Sequence, residues 1–145
     1  MEYIIARTMI LYGTGVSVRP NFALWVVEQL QKGQKIKIVN DQIGNPTLVD
    51  DLAISLYKLI EAEEYGLFHI AGNETCTRYD FAQKIANVFN LNNKPIEEIT
   101  TDQLGQQAKR PMNSTFILNK LHNTIDWLPG NLDVSLQKLK VQMGL

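Results

Sequence analysis

The sequence predicts an α/β fold in a single domain spanning residues 1–145. Three observations carry that expectation. First, Tyr3 to Tyr12 is apolar on both alternating sets, with Ile5, Met9 and Leu11 on one side and Ile4, Ala6 and Ile10 on the other. A strand apolar on both faces belongs in a sheet covered on both sides, typically a parallel one. Second, short apolar β-branched runs alternate with helical stripes along the chain, the pattern of an α/β architecture. Third, between Val39 and Leu52 a strand-like segment passes through Gly44 and Pro46 directly into an apolar helix.

Taken in order, Tyr3–Tyr12 is the first strand. Nothing precedes it to supply a neighbour, so it is expected to share a sheet with residues outside this sequence. Gly13-Thr14-Gly15 ends it as a turn, since the dinucleotide fingerprint needs a third glycine that is absent here. Pro20 suits the first turn of a helix with the stripe Phe22, Trp25, Val26, Leu30, closed by Gly33. Lys35–Asn40 is the next strand. It delivers a loop crowded with Asn40, Asp41, Gln42, Asn45 and Thr47. Loops braced by rigid elements are where binding residues sit, although Asn, Asp, Gly and Pro also simply make turns.

Asp50 and Asp51 open the following helix as caps and dipole partners, with Leu52, Ile54, Leu56, Leu59 and Ile60 as its apolar positions. Gly66–Gly72 reads as a short buried strand in which His69 is a satisfied core or edge histidine. Thr75 and Thr77 offer a cap to a helix over Tyr79–Phe89, with Phe81, Ile85, Ala86 and Phe89 inward. Cys76 is a small loop residue without neighbours that favour a thiolate. Pro95–Thr101 is a further short strand, followed by the polar loop Gln106–Ser114. There Arg110 carries the planar five-donor fork suited to phosphate, and Pro111 restricts its backbone to extended shapes. The plain alternative is a solvated arginine. Asn119–His122 makes a helical turn, Val134–Met143 a terminal amphipathic helix, and Trp127 anchors that helix to the core.

Composition narrows the function. A net charge of -1 supplies no basic field, so nucleic acid is not an expected partner. One cysteine excludes an internal disulfide and fits a reducing cytoplasm. The two histidines, His69 and His122, have no ligand partners at metal spacing, so no metal site is expected. No apolar run approaches the roughly 18 residues of a membrane span, and no signal-peptide pattern opens the chain.

With these residues in view, the chain resembles the carboxyl-terminal part of the dTDP-4-dehydrorhamnose reductases, in the extended short-chain dehydrogenase/reductase superfamily. Three blocks carry the resemblance: Arg7-Thr8 with Leu11-Tyr12-Gly13 and Asn21-Phe22; Asp41-Gln42-Ile43-Gly44-Asn45-Pro46-Thr47 with Asp51-Leu52-Ala53; and Arg110-Pro111-Met112-Asn113-Ser114. Gly66-Leu67-Phe68-His69-Ile70-Ala71-Gly72 also fits. The resemblance implies an NADP-binding Rossmann-type fold with a small mixed α/β substrate domain, and NADPH-dependent reduction of a 4-keto-deoxysugar nucleotide in dTDP-L-rhamnose biosynthesis. It also implies that the cofactor is held mainly by an amino-terminal region, because this sequence has no GxxGxxG and no Tyr-x-x-x-Lys. No catalytic residue is therefore expected in the chain, which should bind without turnover. Substrate binding falls by resemblance to Asn21, Gln42, Gly44, Thr47 and Arg110, and the cofactor side to Tyr12 and Gly13. Some family members carry a divalent cation near the position of Asp50, but capping explains that carboxylate already. Where many members have Ser-Trp, this chain has Met9-Ile10. That departure leaves as an alternative the non-catalytic branch typified by the regulatory subunit of methionine adenosyltransferase. The expected partner is a dTDP-sugar, with a homodimer paired through the Tyr3–Leu11 edge as the expected assembly.

Overall fold

Strands and helices alternate along the computed structural model, which describes residues 2–145. The order is β1 (Ile4–Arg7), β2 (Leu11–Tyr12), α1 (Phe22–Gln31), β3 (Ile36–Val39), β4 (Ile43–Gly44), β5 (Thr47–Leu48) and α2 (Val49–Glu61). There follow β6 (Gly66–His69), β7 (Cys76–Thr77), α3 (Arg78–Val88), β8 (Ile96–Ile99), α4 (Thr101–Leu104), α5 (Asn119–Thr124) and α6 (Leu132–Gln142). β1 pairs parallel with β6, β2 with β5 and β3 with β8, whereas β4 and β7 run antiparallel.

The first strand differs from expectation. The apolar run breaks at Ile10, whose φ of 44° turns the chain between β1 and β2. β1 finds its neighbour inside the chain, in β6, and its residues are largely uncovered: Ile5 is 47% exposed. Both faces are apolar, but among the described residues nothing packs over one of them.

Local chemistry sets the helix ends. Asn21 caps α1 by accepting the Leu24 N–H at 3.2 Å, so Pro20 lies before the cap and not in the first turn. At the other end Gly33, with φ of 65°, lets the chain leave in the left-handed conformation. Thr77 and Asp80 form a reciprocal capping box on α3. α2 starts at Val49 behind Leu48, which offers no side-chain cap. Asp50 and Asp51 therefore sit in the first turn facing the dipole. Asp51, 1% exposed, has a further use: it accepts Ser135 Oγ at 2.9 Å and Lys138 Nζ at 3.3 Å, tying α2 to α6. Asn131 caps α6, which begins before the expected Val134.

Two apolar clusters result. The larger joins Tyr12, Val26, Leu30, Phe81, Ile85, Leu136 and Leu139, uniting α1, α3 and α6. The smaller joins Leu59, Phe68, Ile70, Leu121 and Ile125. Trp127 packs on this second cluster, so it anchors the α2–β6–α5 side and not the terminal helix. Cys76 lies in β7, where burial pushes its thiol up to about 12 and keeps it protonated.

The topology converges three segments on one edge. β3 leads into Asp41 and Gln42. The Ile43 N–H donates to the Met112 carbonyl at 2.7 Å and the Ser114 N–H returns to the Ile43 carbonyl at 3.0 Å, pinning the loop that carries Arg110 along β4. The Arg78 N–H donates to the Gln42 carbonyl at 3.1 Å, fixing the start of α3 beside both.

Candidate functional site

At that edge two adjoining cavities, about 330 Å³ and 190 Å³, share Gln42, Arg78 and Arg110 in their walls. The larger is floored by aromatic and aliphatic groups, among them Phe22, Trp25, Ile38 and Leu104. Phe22 and Trp25 have ring centroids 6.0 Å apart. The smaller runs between Met9, Ile10, Ile43 and Pro111, with Ser114 as its hydroxyl. The cleft is thus amphipathic, with two cations at its waist.

Those cations define its chemistry. The Arg78 guanidinium lies over the Phe22 ring at 5.1 Å. Burial first, and then the charge of Arg110, draws it below the ordinary arginine range. Among the described residues neither arginine takes part in an ion pair. Arg78 also stands at the positive end of α3, where the helix dipole disfavours a cation. Two mutually repelling guanidiniums without a carboxylate make a site for an anion with several oxygens, which such forks bind bidentately.

Gln42 belongs to this site. Its amide Nε2 donates to Thr101 Oγ1 at 3.0 Å and Gln106 Oε1 at 3.2 Å, leaving its own carbonyl as an acceptor at the cleft. Thr101 in turn donates to Asp41, whose carboxyl these hydrogen bonds hold below the ordinary value. Arg110 is exposed on the opposite loop.

The other expected residues lie elsewhere. Thr47 is 0% exposed: its Oγ1 donates to the Asn45 carbonyl at 3.0 Å and accepts the Gly72 N–H at 3.2 Å, so it is a buried tie between loops and not part of the cleft wall. Asn45, 2% exposed, makes the companion knot, donating to Gly72 and accepting from Phe116 N–H. Asn21 has its Oδ1 in the α1 cap and donates Nδ2 to the Gly13 carbonyl at 2.7 Å, which removes it from the arginine cleft. Gly44 is small for a different reason than ligand approach. Ile10 Cδ1 lies 2.6 Å from where a Cβ on Gly44 would stand, so Ile10 occupies that space. Tyr12 is 2% exposed, its ring against Phe81 at 5.3 Å and its phenol held above the usual tyrosine range by burial. Ser135, whose hydroxyl donates to Asp51, lies beside the phenol and partly offsets the effect of burial on it. Tyr12, Gly13 and Asn21 line a third cavity of about 250 Å³, together with Val49.

Sequence reasoning missed Arg78; Phe22 and Trp25, read as the apolar stripe of α1, do pack on the larger cluster and also face the cavity. The available signal was a cation in the first turn of a helix, electrostatically out of place unless something else requires it. No cluster of metal-ligating side chains occurs among the described residues, and none of the described helices is long and apolar enough to cross a membrane.

Residues 1–141 match the family model described as the RmlD substrate binding domain. A spore coat polysaccharide biosynthesis protein, SpsK, of Bacillus subtilis (strain 168) is 34% identical over 74% of this chain and 36% of its own length. A dTDP-4-dehydrorhamnose reductase of Aggregatibacter actinomycetemcomitans is 28% identical over 94% of the chain and 49% of its own length. Methionine adenosyltransferase 2 subunit beta of Danio rerio is 27% identical over 81% of the chain and 38% of its own length. Among solved structures, a dTDP-4-dehydrorhamnose reductase of Clostridium acetobutylicum ATCC 824 superposes with a TM-score of 0.88 at 31% identity, covering 99% of this chain and 49% of that one. The same enzyme of Bacillus anthracis str. Ames, solved in complex with NADP, gives 0.87 at 31% identity over 97% and 48%. This chain has the mixed α/β fold of those reductases and spans about half their length or less.

Proposed function

The chain belongs to the RmlD substrate binding domain family, and from that premise we propose that it is the nucleotide-sugar-binding part of an NADPH-dependent reductase of 4-keto-deoxysugar nucleotides. The observation that carries the reading is the pair of guanidiniums, without an ion pair among the described residues, in the walls of both an aromatic-floored cavity and a smaller mixed one. Arg78 and Arg110 take the diphosphate. The base lies against Phe22 and Trp25, where an aromatic floor favours stacking, and the side-chain Oε1 of Gln42 accepts from it or from the sugar. The sugar enters the smaller cavity beside Met9 and Ile10.

This chain's contribution is orientation. Binding energy from the nucleotide diphosphate fixes the keto carbon in place, which is worth more the more rigid the cradle. The sequence holds no Tyr-x-x-x-Lys, so no proton or hydride step is assigned to it. NADPH does not fit the residues present as its sole host. Tyr12 is buried, the Gly13 carbonyl is bonded to Asn21 within its own turn, and no glycine-rich loop is available for a pyrophosphate. The cofactor is assigned to an amino-terminal Rossmann region outside residues 1–145, with the uncovered β1–β6 face as its docking side. A cytoplasmic location and self-pairing through β1 complete the proposal.

The test is calorimetric titration with dTDP and with NADPH, for the wild type and Arg110→Ala. Binding of dTDP that weakens in the variant, without NADPH oxidation, supports the reading. Equal dTDP affinity removes Arg110 from the site, and NADPH oxidation by the chain alone overturns the half-enzyme assignment. A second reading, a regulatory module that keeps the fold without the chemistry, is favoured by Met9-Ile10 and by the likeness to methionine adenosyltransferase 2 subunit beta. It predicts that dTDP does not bind.

A further inference from the structure

We propose that residues 106–111 form a strap that closes over the bound nucleotide, drawn down by the diphosphate through Arg110. The inference rests on the nucleotide-sugar reading and adds to it the way the site shuts. Both ends of the strap are fixed, and to nearly the same place. Before it, the Thr101 N–H donates to both Asp41 carboxylate oxygens at 3.1 and 2.9 Å, and Thr101 Oγ1 donates to Oδ1 at 2.7 Å. After it, Met112 and Ser114 are bonded to the backbone of Ile43. Asp41 and Ile43 flank Gln42, so the ends of the strap lie together, as in a compact Ω-loop.

Between those anchors little holds it. Gly105 leaves α4 in the left-handed conformation at φ of 65°. From Gln106 to Pro111 no backbone hydrogen bond forms among the described residues, and every residue is exposed. The side-chain tie that reaches the strap is a latch, Gln42 Nε2 donating to Gln106 Oε1 at 3.2 Å. A segment with exposed groups and so few bonds opens at low free energy. It nevertheless carries Gln106 and Arg110 into the wall of the larger cavity.

Charge supplies the switch. After burial, the nearness of Arg110 is what draws Arg78 below the ordinary arginine range. With no anion between them, the two guanidiniums repel and push the strap outward; a diphosphate between them replaces that repulsion with two attractions. A ligand shifts a conformational equilibrium only by its differential affinity for the two states. Here the difference is the Arg110 contact, about tenfold to a hundredfold for a hydrogen-bonded charge.

Trypsin reads the strap, because it cuts after Lys109 and not after Arg110, which Pro111 follows. The Lys109 cut is timed by mass spectrometry with and without saturating dTDP, against the cut after Lys32 as reference. Local cleavage follows the open population. dTDP should therefore slow the Lys109 cut of the wild type about tenfold or more, at the Lys32 rate of the free protein. Arg110→Ala, saturated with dTDP by calorimetry, should lose that protection, whereas a ligand that only shielded the loop would still confer it. Inorganic pyrophosphate at a saturating concentration should protect the wild type, since the charge closes the strap. Gln106→Ala should speed the cut in the free protein and leave it slow with dTDP. Should Arg110→Ala not saturate, the pyrophosphate arm decides. Bound dTDP that leaves the Lys109 cut unslowed, equal protection in Arg110→Ala, or failure of pyrophosphate to protect overturns the inference alone. Absence of dTDP binding to the wild type overturns the nucleotide-sugar reading and this inference with it.

Discussion

Removing the two arginines one at a time separates a binding role from a structural one. Neither guanidinium has an ion-pair partner among the described residues, so both are free to spend their donors on a ligand. A hydrogen bond to a charged group is worth about 1.5–3 kcal/mol. At about 1.4 kcal/mol per tenfold, Arg110→Ala, on the exposed loop, should weaken dTDP roughly tenfold, near the lower end. Arg78→Ala, half-buried over Phe22, should lie nearer the upper end, about a hundredfold. Their effects on the ligand-free protein should differ in the other direction. Arg110→Ala should leave the melting temperature nearly unchanged, because it deletes no side-chain hydrogen bond or ion pair and relieves only the part of the Arg78 shift that burial does not cause. Arg78→Ala loses the contact with the Phe22 ring, about 0.5–1 kcal/mol, and should melt about 2–4 °C lower. Arg78→Lys should fall between wild type and alanine for dTDP, since it keeps the charge and loses the fork. Titration calorimetry and thermal melts at fixed ionic strength read both quantities. Equal dTDP affinity in all variants, or a larger melting loss for Arg110→Ala than for Arg78→Ala, would refute the assignment of the pair.

Thr47→Val should destabilise the chain by about 1–3 kcal/mol by orphaning the Gly72 N–H, with dTDP affinity of the folded fraction unchanged; a selective loss of affinity in calorimetry would return Thr47 to the site. Asp41 titrates below its ordinary value of 3.8 because Thr101 hydrogen-bonds its ionised form. Its stabilisation is therefore present above 3.8 and lost as the pH falls through the lower folded value, so the protection of the Thr101 amide, its exchange measured against the intrinsic rate at each pH, should fall on acidification and should stay constant in that range in Asp41→Asn. The open edge of β1 should pair copies of the isolated chain, giving a dimer mass in light scattering that Ile5→Lys abolishes; a monomer at all concentrations removes the edge as a docking side.

Much of the fold was written in local pattern. The stripe Phe81, Ile85, Ala86, Phe89 is buried as its helical spacing demands, and Gly33 ends α1 where its left-handed freedom is needed. Gly13-Thr14-Gly15 reads as a turn; the structure has it as irregular chain leaving β2, with the turn just after it at Val16 and Ser17. What local pattern misjudged was the use of polar groups. Thr47 and Asn21 have the side chains of ligand-binding residues, yet each is consumed by backbone partners distant in sequence, Gly72 and Gly13. Asp51 looks like a dipole partner and is also a buried tie to α6. Conversely, Arg78 sits in an ordinary helix start and gains its meaning from Arg110, brought beside it when the Met112 and Ser114 backbone zips along Ile43.

The residues alone thus determined the α/β succession, the family likeness, the missing hydride-transfer motifs and the candidacy of Gln42 and Arg110. Tertiary structure decided which polar side chains remain unspent, that a second guanidinium faces the first, and that Ile10 fills the space over Gly44. The physical reason is that helix and strand periodicities act over neighbouring residues, whereas hydrogen-bond saturation and unpaired charge depend on partners that only the folded chain brings together.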